Sequence, residues 1–295
     1  MERIIFTGAT GLIGSGLLEL LSKDYECYVV GRCGIDKENI LFIQQDLGQD
    51  FDIKKFPGEA DYIIHLAQAD GHNNFPQNAK VIFDVNLRGM VNLLDYGVYA
   101  KIKKFLFASS GGIYGSGNEI FSENQDISFS TDLNFYQKTK LCMEILSQSY
   151  QQFYDIVTFR IFFGYGEHQK QTMLLPRLID NISSGKTIKI ASVNDIKMNP
   201  IYKSDIARCI YEAIKKTDGS HVFNIAGNEI ISLGEIVRKI SCKLGMEPKI
   251  VYEPKMQGNT IADNKKMLED LWIPQISFDE GLSRILAERA GDKDE

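Results

Sequence analysis

Short apolar runs recur along the first half of the chain: Ile4 to Thr7, Tyr28 to Val30, Ile40 to Gln44, Tyr62 to Leu66, Phe105 to Ala108 and Ile156 to Phe159. They are too short for helices and nearly continuous in apolar character, as strands buried on both faces are. Between them apolar positions fall three and four apart, with Ile13, Leu17, Leu20 and Leu21 in one segment and Leu87, Val91, Leu94 and Val98 in another. That spacing marks one face of a helix. Strand and helix therefore alternate, and the pattern predicts an α/β fold in which a doubly wound parallel sheet is covered by helices on both sides.

Beyond residue 163 the alternation loosens into GYGEHQ, a helix-like MLLPRLIDNISSG and a polar loop KIASVNDIKMNP. A helix from Ser204 then carries Ile206, Ile210, Ala213 and Ile214 on one face and leads to a strand-like HVFNIAG, expected to return to the main sheet. Ser232 with Glu235 and Ser277 with Glu280 match capping boxes and predict two further helix starts. The acidic tail GDKDE is expected to fray.

Composition narrows the partners more than the fold. The 295 residues hold 33 Lys and Arg against 39 Asp and Glu, a net charge of -6. No cationic footprint exists for nucleic acid or an anionic membrane. Five scattered cysteines form no CxxC pair, and four histidines share no ligand spacing, so no metal site is expected. The N-terminus shows no signal-peptide pattern, and no run of about 18 apolar residues could cross a bilayer. These features predict a cytoplasmic protein.

The chemistry starts directly after the first strand, at GATGLIG. Gly8, Gly11 and Gly14 sit at a strand-to-helix turn, where glycines let a pyrophosphate approach the backbone and the helix N-terminus favours the anion. A dinucleotide site follows. The second strand ends in Gly31 and Arg32 rather than in the carboxylate that would hold NAD ribose hydroxyls. NADP(H) is expected ahead of NAD(H), and Asp46 in QQDL is a candidate for the adenine edge. Far along the chain Tyr136 and Lys140 stand four apart in YQKTK, on one helical face. A phenol titrates near pH 10, so proton transfer near neutrality needs a positive neighbour such as Lys140. Ser109 and Ser110 follow the strand FLFA at the carboxyl end, where doubly wound sheets bind ligands. A serine hydroxyl there can hold a carbonyl or carbinol oxygen while Tyr136 passes the proton and hydride moves to or from a nicotinamide.

With these motifs in place the chain resembles the extended short-chain dehydrogenase/reductases, the NAD-dependent epimerase/dehydratase family. GATGLIG, QQDL, the HLA of His65 to Ala67, Asn86 in NLRGMVNLL, SSGGIYG, YQKTK, FRIFFGYG, NPIYKSDIA and SFDEGL carry the resemblance, which spans nearly the whole chain. It implies a Rossmann region over 1–163, with 203–226 returning to it, and a smaller α/β substrate-binding region over 164–202 and 227–290. It implies a catalytic set of Ser110, Tyr136 and Lys140, with Asn86 ordering the helix beside them. It implies cofactor contacts from Gly8, Thr10, Gly11, Leu12, Ile13, Gly14, Arg32, Asp46, Leu47, Leu66, Ala67 and Lys140. Substrate contacts are expected from Ser110, Gly111, Tyr136, Phe163, Arg177, Lys197 and Lys255, and a homodimer is expected through helices on one sheet face.

The chain also departs from the family. Dehydratase members carry an Asp and a Glu after the catalytic hydroxyl, where this chain has Gly111 and Gly112. Elimination of water is therefore not expected. Members that bind nucleotide sugars bring two arginines to the diphosphate; Met198 stands at the first position and Lys255 or Met256 at the second. Lys197, Lys203, Lys255 or Arg177 would have to substitute, as point charges or from elsewhere. Phe159, Phe162, Phe163 and Tyr165 read as core and pocket wall, His65 as buried beside the cofactor, and His168 as a surface loop residue. The expected function is NAD(P)-dependent reduction of a keto group on a nucleotide-linked sugar. The alternatives are a C4 epimerase with retained NAD and a redox-inactive dinucleotide sensor, the latter disfavoured by the intact Ser, Tyr and Lys.

Overall fold

A seven-stranded sheet, parallel throughout, forms the centre of the computed structural model. The structure describes residues 1–35, 40–71, 74–127, 132–191, 195–254 and 258–291. The chain runs β1 (Arg3–Thr7), α1 (Gly14–Leu21), β2 (Glu26–Gly31), β3 (Ile40–Gln44), β4 (Tyr62–His65), α2 (Ala79–Phe83), α3 (Gly89–Ala100) and β5 (Lys104–Ser110). It continues through β6 (Ile120–Phe121), α4 (Phe135–Gln148), β7 (Asp155–Ile161), β8 (Gly164–Tyr165), α5 (Leu174–Ser183), β9 (Thr187–Ala191), β10 (Lys197–Met198), β11 (Ile201–Tyr202) and α6 (Lys203–Lys216). The last elements are β12 (His221–Ile225), β13 (Ile231–Ser232), α7 (Leu233–Leu244), β14 (Lys249–Glu253), β15 (Ile261–Ala262), α8 (Lys265–Asp270) and α9 (Phe278–Gly291).

The strand order is β3-β2-β1-β4-β5-β7-β12, so the winding direction reverses between β1 and β4. This is the doubly wound Rossmann arrangement expected from the alternation. Successive strand residues face opposite layers. Ile4, Phe6, Val29, Ile64, Leu106, Val157 and Phe159 pack toward α1 and α6, in a cluster with Leu17, Leu21, Ile206 and Ile210. Ile5, Val30, Ile63, Phe105, Phe107 and Ile156 pack on the other face, against Met90, Leu93 and Leu94 of α3 and Met143 of α4. Each such side chain contributes about 1.5–3 kcal/mol on burial. The strand HVFNIAG returns to the sheet as β12, beside β7.

Two elements differ from the sequence reading. In α3 the buried residues include Met90, Leu93, Leu94 and Gly97, whereas Val91 and Val98, and Leu87 just before the helix, are only partly covered. A π-helical turn over 84–88 precedes α3 and carries Leu87, while within α3 the covered stripe runs through Met90, Leu93, Leu94, Gly97 and Ala100. The stretch read as the polar loop KIASVNDIKMNP instead contains the end of β9 and all of β10. Ile188 and Ile190 alternate with exposed Thr187 and Lys189 there, the period of a strand wet on one face.

The remaining strands form two-stranded sheets: β8 with β11, β9 with β14 and β6 with β15, all parallel, and β10 with β13, antiparallel. Residues of β8, β9, β10, β11 and β13 join a separate apolar cluster with Tyr165, Leu175, Ile179, Met198, Tyr202, Ile236, Phe278 and Leu282, while Phe121 of β6 and Ala262 of β15 pack with Tyr114 and Phe162. Ser232 and Glu235 form the reciprocal capping box. At the other predicted box only half exists: Ser277 Oγ accepts from Glu280 N at 3.2 Å, while the Glu280 carboxylate pairs with Arg284 one turn on. The tail 292–295 lies outside the described residues.

Candidate active site

The glycine turn lies at the carboxyl ends of β1 and β4, where the winding direction reverses. Gly8 has φ +84°, and a Cβ there would lie 2.6 Å from Ala67 N. A Cβ on Gly14 would lie 2.0 Å from Gly8 O, so only glycine lets α1 start this close to β1. Thr10 and Gly11 are exposed, and Leu12 and Ile13 partly so. No side chain caps α1 and no acidic residue lies in its first turn. A bare helix N-terminus beneath a glycine turn fits the pyrophosphate of a dinucleotide. Arg32 is exposed just past β2. Asp46 Oδ1 accepts from Gly48 N at 2.9 Å, and Leu47 is buried beside it.

The loop after β4 is fastened on both sides. Leu66 N donates to Thr7 O at 3.1 Å and Ala67 N to Thr7 Oγ1 at 3.4 Å. Ala69 N donates to Asn86 Oδ1 at 2.9 Å, and Asn86 Nδ2 donates to Thr139 Oγ1 at 3.0 Å. The Thr139 hydroxyl donates in turn to Tyr136 O at 2.7 Å. Asn86 is wholly buried within the π-helical turn, and its amide ties this loop to α4. His65 is also wholly buried: its Nδ1 lies 2.7 Å from Thr7 Oγ1, and its Nε2 has no partner among the described residues. Burial, with a smaller effect from the Lys140 charge, lowers His65 to about 3, which keeps it neutral.

Helix α4 begins at a capping box in which Asn134 and Gln137 bond each other's backbone, fixing the turn that carries Tyr136. Lys140, one turn on, lies 5.8 Å from the Tyr136 ring centroid, and its Nζ donates to Ala108 O at 2.8 Å. Burial pushes Lys140 down to about 8, with the Glu144 charge acting the other way, so near neutrality it remains an ammonium. Burial pushes the Tyr136 phenol up, toward its protonated form. The Tyr136 hydroxyl donates to Gln68 Oε1 at 2.8 Å. At the end of β5, Ser110 Oγ accepts from Gly112 N at 3.1 Å, which directs its proton elsewhere. Gly112 sits between Ser110 and Gln137, its Cβ position 3.2 Å from Ser110 Oγ and 2.7 Å from Gln137 Nε2. Ser110, Tyr136 and Lys140 are thus carried on adjoining elements.

One turn beyond Lys140, Glu144 is buried and accepts from Arg160 of β7 through Nε at 3.2 Å and Nη2 at 2.8 Å. Ser109 donates to the same carboxylate, and Arg160 also bonds the Tyr114 hydroxyl. This network and Gln68 were invisible to the motif reading. The available signal for Gln68 was its place in the loop leaving β4, at the winding reversal where ligands sit.

On the substrate side the predicted residues are more dispersed. Gly111 is buried, and a Cβ there would lie 2.5 Å from the Phe162 ring. No acidic side chain could occupy that position without displacing the ring. Phe163 joins β7 to β8 with φ 24°, a rare backbone for a non-glycine residue, and packs against the smaller apolar cluster. Met198 is buried in that cluster. Lys197 lines a cleft of about 440 Å³ with Asn118, Asp195, Ser232, Glu235, Arg238 and Asn259. Arg177 is on the exposed face of α5 and is not among the residues of this cleft. Lys255 lies outside the described residues. Phe159, Phe162 and Tyr165 are core, and His168 is exposed with its ring paired to Glu288.

Comparison with known proteins bears on the family and the fold. A UDP-glucuronate 4-epimerase from Thermodesulfobacterium geofontis is 30% identical, over 96% of this chain and 95% of that one. The structure of UDP-glucuronic acid 4-epimerase from Bacillus cereus, solved with UDP-glucuronic acid and NAD, superposes with a TM-score of 0.86 at 25% identity, covering 98% of this chain and 99% of that one. A UDP-glucose 4-epimerase from Thermotoga maritima shares the fold with a TM-score of 0.83 at 22% identity, covering 99% of each chain. The sequence profile of the NAD dependent epimerase/dehydratase family matches residues 4–226, and the chain belongs to that family.

Proposed function

We propose that this chain is an NAD(P)-dependent oxidoreductase that transfers hydride at a carbonyl or carbinol carbon of a nucleotide-linked sugar, with net reduction of a keto group as its reaction. The observation that carries this reading is the Tyr136 phenol, protonated and donating a hydrogen bond above the buried Lys140 ammonium. That is the state of a general acid ready to protonate a carbonyl oxygen. The bound dinucleotide would supply the hydride, cradled by Gly8, Thr10, Gly11, Leu12, Ile13 and Gly14, with Leu66 and Ala67 below and Asp46 and Leu47 toward the adenine. Ser110 would hold the substrate oxygen with its free proton. Lys197 and its cleft would take the distal part of the substrate, with Arg177 and Lys255 as further cations and Gly111 and Phe163 as walls.

A second reading, C4 epimerisation with retained NAD, is favoured by the relatives, whose names are 4-epimerases. Incubation with UDP-glucuronic acid or UDP-glucose and NAD+ separates the two. Epimerisation inverts C4 in the NMR spectrum without net change at 340 nm, whereas a reductase consumes NADPH only when offered a 4-keto sugar. If neither nucleotide nor sugar binds at millimolar concentration, the sugar-nucleotide half of the proposal is wrong.

The division of labour we infer is a dinucleotide region over 1–163 and 203–226 and a substrate region over 164–202 and 227–290. The five cysteines are unpaired, which suits a reducing cytoplasm. Val81 and Phe83 of α2, Tyr99 of α3 and Ile145 and Leu146 of α4 are exposed, and we infer that they bury against a second copy in a homodimer. Cofactor preference turns on Arg32. Arg32→Asp is expected to weaken NADPH and strengthen NADH, through lost attraction and a restored hydroxyl acceptor. Equal shifts for both in a fluorescence titration would show that Arg32 does not read the ribose phosphate.

A further inference from the structure

Gln68 lies in none of the motifs that gave the Ser, Tyr and Lys, yet its side chain is bonded to the oxygen that does the chemistry. We infer that Gln68 is a fourth catalytic residue, whose carboxamide partners the Tyr136 oxygen in both of its protonation states. The inference rests on Tyr136 being the acid/base of the proposed function.

In the structure Gln68 Oε1 accepts the phenol proton at 2.8 Å. Its side chain is exposed, which leaves the amide room to turn. A carboxamide presents an acceptor on one side and two donors on the other. When the phenol proton passes to the substrate oxygen, the Tyr136 O–H bond breaks and an O–H bond to substrate forms. A half-turn of the Gln68 amide then replaces the acceptor with an N–H donor to the phenolate. Hydrogen bonds to a charged oxygen are roughly twice as strong as neutral ones, so the contact strengthens as the charge appears. In the reverse direction the same rotation restores the acceptor.

The contact is held in place from both ends. The backbone on either side of Gln68 is fastened, at Ala67 to the Thr7 hydroxyl and at Ala69 to Asn86. Asn86 bonds Thr139, which bonds Tyr136 O, so the amide and the phenol hang from one chain of hydrogen bonds. A loop residue fastened in this way holds its geometry without being buried. A glutamate could accept but not donate, and a leucine could do neither, which makes the two substitutions informative in different ways.

The test uses the full chain with 3,5-difluorotyrosine incorporated, an analogue more acidic than tyrosine, and reads the Tyr136 19F resonance, assigned by its loss in Tyr136→Phe. Titrations are run free and with saturating NAD+. Gln68→Leu is expected to raise the Tyr136 midpoint by about one pH unit, a tenfold loss of phenolate, and Gln68→Glu to raise it further through the added negative charge. NAD+ affinity should stay within about twofold. Midpoints that coincide with wild type in both variants overturn the role of Gln68 and leave the Tyr136 chemistry standing. Full turnover in Tyr136→Phe overturns that chemistry itself, and Gln68 falls with it.

Discussion

Tyr136→Phe is expected to lower turnover by about 100-fold or more while NAD(P) affinity stays nearly unchanged. The hydroxyl is the only group removed. It bonds Gln68 and not the glycine turn, so the cradle around Gly8 to Gly14 keeps its shape. Measurement of kcat and of dinucleotide binding on one preparation decides the matter. A variant that keeps more than about a tenth of wild-type turnover removes Tyr136 from the acid/base role.

The largest effect on stability is expected from Glu144→Ala. Its carboxylate, buried together with Arg160, also takes the Ser109 hydroxyl. Removing it leaves a nearly buried guanidinium that cannot lose its charge, with only the Tyr114 hydroxyl and the Glu123 carbonyl as partners among the described residues, at a cost of about 3–5 kcal/mol. For a chain of this size that is a fall in Tm of roughly 10 °C. Calorimetry of Glu144→Ala beside Glu144→Leu/Arg160→Met checks the mechanism, because the double variant leaves no bare charge and should recover much of the loss. If the single and double variants melt together, the isolated charge is not the cause. Because Glu144 supports the charge on Lys140, the single variant should also move any activity limb near pH 8 toward acid.

What could be read from the sequence follows the range of the interaction behind each feature. Strands β1, β4, β5 and β7 announced themselves because burial on both faces leaves an unbroken apolar run, and edge strand β3 by its apolar residues alone, with Leu41 exposed. Tyr136 and Lys140 were legible because a helix brings residues four apart onto one face. The face of α3 was misplaced because Met90, Val91, Leu93, Leu94 and Val98 fit more than one stripe at three-and-four spacing, so spacing alone does not choose the buried one. The Glu144–Arg160 pair joins two segments 16 residues apart, and the Gln68–Tyr136 contact spans 68. Nothing local encodes either. The short sheets β6 with β15 and β10 with β13 pair two residues each, far below the length at which periodicity can be seen.

The position of β12 beside β7 bears on how this protein can be shortened. A chain stopped after Phe163 would lose β12, and with it the partner of the five residues from Val157 to Ile161. Their free backbone groups would form an open sheet margin, a template for another chain to add to. It would also lose α6, which covers α1 and the same side of β7. A truncated nucleotide-binding fragment would therefore be prone to self-association. Changes confined to the segment between β8 and β11 leave β12 in place on β7, and are the safer way to re-engineer this scaffold.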